Sequence, residues 1–394
     1  MTKIETLKKK FARLNPASKV LVAVVVPVVL VFIIGQINFS STVYLISDSS
    51  LASTGTTTET NGIIPKVVPT LDKVLYDKGM LALANIPLIS KCTTTVATST
   101  PKTATSTKLK TIKTCASVPA KSDWPTKTVY PNAGALLPFN RIVAYYGNFY
   151  STKMGVLGEY PENVLIPKLQ GEVQKWTAAD PTTPVIPAVD YIVSTAQGSA
   201  GDDGKYRLRM PDAQIQKAID LANKIGGIVF LDIQTGQSTF EAEIPLLKKY
   251  LELPNVHLAL DPEFNMKPGQ KPGTRIGSID ASNVNFAAQF LAKIVQDNNL
   301  TPKILVVHRF TEGMVTHTEN IKPLPEVQVV MDMDGWGGPA HKKAAYNEVI
   351  DNYPVQFTGL KLFYKNDLRT PSPGMMTTSQ VLNLSPKPSY IQYQ

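Results

Sequence analysis

IVFLDIQTGQSTFEAEIPLLKKYLELPNVHLALDPE, residues Ile228 to Glu263, carries in one stretch the pattern that decides the fold. Two short apolar runs, Ile228 to Gln234 and Val256 to Glu263, bracket an amphipathic segment from Phe240 to Leu251. Strand, helix, strand at this spacing is a βαβ unit and calls for a parallel sheet. Within the first run Ile228, Phe230, Asp232 and Gln234 fall on one face of a strand, and Val229, Leu231 and Ile233 on the other. In the second, Ala259, Asp261 and Glu263 oppose Leu258 and Leu260. One face of each run is wholly apolar and suits packing against helices; the other turns acidic or amidic toward its C-terminal end.

Working outward, the same alternation recurs on both sides. Further strands are expected at Arg141 to Asn148, Val185 to Ser194, Ile304 to Arg309, Val327 to Asp334, Phe357 to Phe363 and Ser389 to Tyr393. Helical segments lie between them at Asn163 to Thr177, Asp212 to Ile225, Ala281 to Asp297 and Lys342 to Asn352. The count and spacing predict an α/β fold, a (β/α)₈ TIM-type barrel over residues 140–394. A doubly wound nucleotide-binding sheet would want a G-x-G-x-x-G turn after the first strand, and Gly155 to Gly158 does not supply one. No cofactor is expected.

Barrel chemistry sits at the C-terminal ends of strands. In the sixth run Val330, Asp332 and Asp334 oppose Val329, Met331 and Met333, so Asp232, Asp261, Glu263, Asp332 and Asp334 are expected to converge on one mouth. Asp190, His308, Lys361 and Tyr364 border it, with Tyr146, Trp336 and Phe363 as aromatic walls. Paired carboxyls across a cleft are what glycosidic cleavage needs: one ionised, to attack or to activate water, and one protonated, to release the leaving oxygen. Crowding of like charges separates their pKa values, and aromatic rings give sugars a face to stack on.

Over residues 140–394 the chain resembles the large assembly of (β/α)₈ glycoside hydrolases, on Leu260-Asp261-Pro262-Glu263-Phe264 and Met331-Asp332-Met333-Asp334-Gly335-Trp336. The α-galactosidase-like families place a nucleophilic Asp on strand four and an acid/base Asp on strand six. The resemblance therefore implies Asp261 as nucleophile and Asp334 as acid/base, with Glu263 the alternative acid of strand four. The seventh strand lacks the carboxylate that another large group of barrel glycosidases uses there. Asp232, Asp332, His308, Trp336, Tyr146 and Lys361 are the expected substrate-binding residues, with Asp232 orienting hydroxyls. Two other readings stay open: a non-catalytic barrel that binds a glycan, and a phosphoester hydrolase with a divalent metal on His308, Asp232, Asp261 and Asp332. Asp332-x-Asp334-Gly335 opens like a calcium loop but lacks the later ligands.

The first part of the chain has another character. Val20 to Ile34 is unbroken apolar sequence, extending to Phe39 without a charge, which is the length of a membrane-spanning helix. Residues 1–19 carry six bases against one acid and are expected to stay in the cytoplasm, leaving the rest outside a plasma membrane. Residues 40–125 read as an extracytoplasmic stalk, Ser/Thr/Gly-rich from 40 to 63, with a short helical pattern over Leu71 to Leu83. Cys92 and Cys115, the only cysteines, bound a Thr/Lys-rich stretch expected to be a flexible loop closed by a disulfide. The formal charge of +9 resides in residues 1–125; the remainder is neutral, so a nucleic-acid partner is not expected. The expected partners are the bilayer, through residues 20–39, and a carbohydrate.

Overall fold

A computed structural model describes residues 70–99 and 108–394. The tail, the expected span at 20–39 and the linker at 40–63 lie outside them. Among the described residues no helix is long and apolar enough to cross a membrane.

Eight parallel strands close into a ring in chain order: β3 (Arg141–Gly147), β4 (Val185–Ala196), β6 (Ile228–Ile233), β7 (Val256–Leu260), β9 (Lys303–Arg309), β11 (Val327–Met333), β12 (Phe357–Leu362) and β13 (Tyr390–Tyr393). Closure is made where β13 and β4 flank β3, Tyr390 pairing with Ile142 and Arg141 with Val185. The barrel expected from the alternation is the barrel observed. A short antiparallel strand, β5 (Arg207–Arg209), borders β4, and two-residue strands β8 (Ile279–Asp280) and β10 (Val315–Thr316) pair between loops.

Alternation produces two cores. Outward-facing Val143, Val229, Leu231, Leu258, Leu305 and Val329 pack under the helices. Chief among these are α3 (Glu162–Ala179) after β3, α4 (Asp212–Lys224) after β4 and α7 (Ala281–Asn298) after β7, with α2 (Val156–Glu159) leading into α3. The third connection is broken into α5 (Phe240–Glu243), a 3-10 turn and α6 (Lys248–Leu251), because Pro245 cannot donate within a helix. After β11 comes α8 (Pro339–Tyr346), and after β12 the short α9 (Thr378–Leu382), while β9 runs to β11 through two 3-10 turns and the two-residue β10, without an α-helix. Inside the barrel, Ile142, Ala144, Ala188, Ile228, Phe230, Ala259, Ile304, Val306 and Val330 fill the N-terminal half.

The floor is supplied by α1 (Lys73–Ala84), within the stretch read as stalk. Asp72 caps it by accepting from Leu75 N, and Tyr76, Met80 and Ala84, one face at helical spacing, are buried. Tyr76 and Met80 join the interior cluster, so this helix plugs the barrel rather than spacing it; burying side chains of this size stabilises by about 2 kcal/mol each. Where the stretch from Thr93 to Thr114, expected to be a loop, is described, it belongs instead to a two-stranded ribbon of β1 (Leu88–Ser99) and β2 (Lys108–Pro119). The Thr content of a stretch read as a flexible Thr/Lys loop also suits extended backbone. Cys92 and Cys115 face one another in its register and are disulfide-bonded, as expected.

Candidate active site

The C-terminal mouth opens into a cavity of about 1070 Å³ lined by Tyr146, Gln234, Asp261, Glu263, Asp334 and Lys361 among others. Its position follows from where each strand stops. β7 ends at Leu260, short of the expected Glu263, because Pro262 has no N–H for the ladder. Asp261 N still reaches Ile233 O at 3.0 Å, after which the chain turns through a 3-10 turn, Pro262–Phe264, capped by Asp261 itself. Glu263 therefore enters the cavity from a turn and not from strand alternation.

Asp261 is held at both oxygens. Oδ1 accepts from Glu263 N at 3.1 Å and Oδ2 from Gln234 Nε2 at 3.0 Å. The orientation of the Gln234 amide is fixed because its Oε1 accepts from Ala196 N at 3.0 Å while Nε2 also donates to Tyr146 Oη at 3.3 Å. A register shift in β4 between Ile192 and Ser194 accompanies this arrangement at the strand's C-terminal end, a common use of bulges beside sites. Sequence reasoning placed Gln234 inward but gave it no role, since an amide has no charge to mark it.

Electrostatically the mouth is crowded. Burial, reinforced by the charges of Asp232, Glu263 and Asp334, pushes Asp261 well above the usual carboxylate range. Glu263 is pushed up to about 7 by burial and by Asp334. Asp334, whose Oδ1 has no partner, is also raised by burial, against the opposing pull of His308 and Lys361. Each of these acids makes ionisation of the others harder, so the charges of the three are interdependent. Lys361 Nζ lies 3.6 Å from the centroid of the Tyr146 ring, and Trp336 stands 52% exposed at the rim with the Arg369 guanidinium over its face. Tyr364, expected at the mouth, lies instead among the outer packing, where it bonds Tyr145 and donates to Glu172.

Asp232, Asp332 and His308 do not line the cavity; they form a sealed polar layer beneath it. His308 Nδ1 is 2.9 Å from Asp332 Oδ2 and Nε2 is 3.1 Å from Asp232 Oδ2. Donation from both ring nitrogens requires an imidazolium, and the two carboxylates do raise His308 well above its ordinary pKa, overcoming burial, which acts the other way. Gly359 makes room for this layer: a Cβ there would meet Asp332 Oδ1 at 2.5 Å. Asp190 lies in the same layer, accepting from Tyr390 Oη at 2.5 Å and Gln392 Nε2 at 2.7 Å, and burial plus Asp232 pushes it up to about 7. Tyr390 and Gln392 were not singled out from the sequence, although alternation along the last strand points them inward. Asp190, Asp232 and His308 bring ligand atoms within 4.8 Å of one another, the spacing of a divalent-cation site.

The rim is tied together from below. Lys342, fully buried, donates to Gly335 O at 2.7 Å and Lys361 O at 2.6 Å and pairs with Asp367 at 3.2 Å. Asp367 in turn accepts from Gly337 N and Phe363 N, so the loops carrying Trp336 and Phe363 share one buried anchor.

No family model and no curated protein matches the chain.

Proposed function

We propose that this chain is a glycoside hydrolase-like enzyme, held in a plasma membrane by residues 20–39 with its barrel outside, acting on a polysaccharide or cell-wall glycan. The observation that carries the reading is the convergence of Asp261, Glu263 and Asp334 on one cavity, where burial lifts all three above the usual carboxylate range. Acids that cannot all ionise at once supply the ionised and the protonated member that glycosidic cleavage requires. Asp261, gripped at both oxygens, is the oriented group for attack or water activation once its proton is shed; Asp334, whose Oδ1 accepts nothing, supplies the proton to the leaving oxygen, with Glu263 beside it. Trp336, 52% exposed at the rim, offers a ring on which a sugar can stack. The test is release of reducing ends from a glycan panel. Asp261→Asn and Asp334→Asn should each lower turnover by roughly 10²- to 10⁴-fold with the fold intact. Equal hydrolysis by wild type and both variants refutes the assignment, and binding without cleavage by wild type would make the barrel a glycan-binding module. Protease added to intact cells should remove the barrel if the orientation is as proposed.

A second reading, metal-dependent phosphoester hydrolysis, is favoured by the spacing of Asp190, Asp232 and His308. It would require His308 to release a nitrogen from a carboxylate. Phosphodiester cleavage abolished by chelation and restored by a divalent cation would support it.

A further inference from the structure

Lys361 is 4% exposed, yet its ammonium lines the cavity and forms no ion pair or hydrogen bond among the described residues; its close neighbours are the faces of Tyr146 and Phe363. A nearly buried cation is costly unless something pairs with it. The ring face of Tyr146 offsets part of that cost but leaves the donors of the ammonium unused. Three further cationic or basic side chains, Lys153, His341 and Arg369, are exposed around the same cavity, whereas the acids sit at its floor. Residues 126–394 as a whole are neutral, so this separation belongs to the mouth and not to the composition.

We infer that the ligand of this cavity is an anionic glycan, one whose sugar ring carries a carboxylate, as in uronic acids, with that carboxylate seated on Lys361 Nζ. The unused donors of one ammonium seat one carboxylate, and burial, which favours the protonated forms of Asp334 and Glu263, eases the repulsion that carboxylate meets; a doubly charged phosphoryl group would meet more of that repulsion without further buried cations to hold it. The exposed bases at the rim would draw such a polymer in, an effect that salt weakens. This inference rests on the glycan reading above, but not on turnover.

The experiment uses the full chain in detergent and oligosaccharides of galacturonate, glucuronate and mannuronate, each paired with its carboxyl-reduced counterpart of identical linkage. Binding is measured by titration calorimetry and cleavage by reducing ends. At least one acidic member should bind about 30-fold or more tightly than its reduced partner, the lower range for a desolvated charge that loses its mate. Lys361→Met should close that gap and Lys361→Arg should keep most of it. Wild type alone decides the matter if Lys361→Met fails to fold, because the paired ligands differ only at the carboxyl. Equal binding of every pair, or an undiminished gap in folded Lys361→Met, overturns the inference. Selective binding of acidic oligosaccharides without cleavage supports it and removes the hydrolase reading; cleavage of neutral glycans with no acidic preference overturns it and leaves the hydrolase reading standing. No binding of any member overturns both.

Discussion

Gln234 Nε2 lies 3.0 Å from Asp261 Oδ2, and Gln234 has no freedom to flip, since its Oε1 is occupied by Ala196 N. Gln234 is a positioning residue for Asp261. Gln234→Glu keeps the shape but replaces the donor with an acceptor that repels Asp261. Turnover should fall on the order of 10²-fold, as expected when a reacting group is displaced by about an ångström, with KM little changed. The apparent pKa of the group that must ionise should also rise, a shift in the pH profile that simple loosening of the loop would not produce.

The pH profile of wild type should be displaced upward from that of an exposed carboxyl pair. Glu263 titrates at about 7, and Asp261 and Asp334 are raised too. The proton donor must be protonated, so kcat/KM should fall as pH rises past the donor's raised pKa, while the ascending limb lies above the ordinary carboxylate range. In Glu263→Gln one interacting charge is gone and the descending limb should move to lower pH. An optimum below about pH 5, with both limbs near unperturbed carboxyl values, contradicts the assignment.

Stability should depend on pH through Asp190. Its folded pKa is raised to about 7 by burial, from 3.8. The folded state therefore binds more protons than the unfolded state between those values, and the stabilisation present below 3.8 is lost as pH rises to about 7. Asn at this position still accepts from Tyr390 and Gln392 without titrating. Melting curves should show Asp190→Asn gaining on wild type from about pH 4 to 7 and holding a constant lead above that. A difference that does not vary with pH would mean Asp190 is not so perturbed.

His308 holds two buried carboxylates apart. His308→Ala leaves both without a counter-charge and should cost about 3–5 kcal/mol, the range for a buried pair that loses one partner. Denaturant titration measures this directly; a loss below about 1 kcal/mol would show that the layer does not depend on the imidazolium.

The Cys92–Cys115 bond joins two strands that pair with one another outside the barrel sheet. Non-reduced protein should take up no thiol label. Replacing both cysteines by Ser should speed proteolysis within residues 88–119, the chain-entropy value of such a closure being about 3 kcal/mol, while the melting midpoint of the barrel stays where it was. A drop in that midpoint would mean that the ribbon supports the barrel.

What the sequence determined by itself is whatever depends on neighbours along the chain. Period-two alternation located all eight barrel strands to within a few residues and turned Asp232, Asp261, His308, Asp332 and Asp334 inward, because side-chain direction in a strand is set locally. Depth was not legible. Whether an inward acid reaches the cavity or is sealed beneath it depends on the stagger between strands, so Asp232 and Asp332 lie with His308 under the mouth while Asp261 and Asp334 line it. Ring closure decided the rest: Asp190 of β4 meets Tyr390 and Gln392 of β13, the last strand in the chain, and α1, far upstream, becomes the floor. Those contacts join residues about 200 positions apart, as Asp190 and Tyr390 are, and no local periodicity records them; only the tilt and closure of the barrel bring them together.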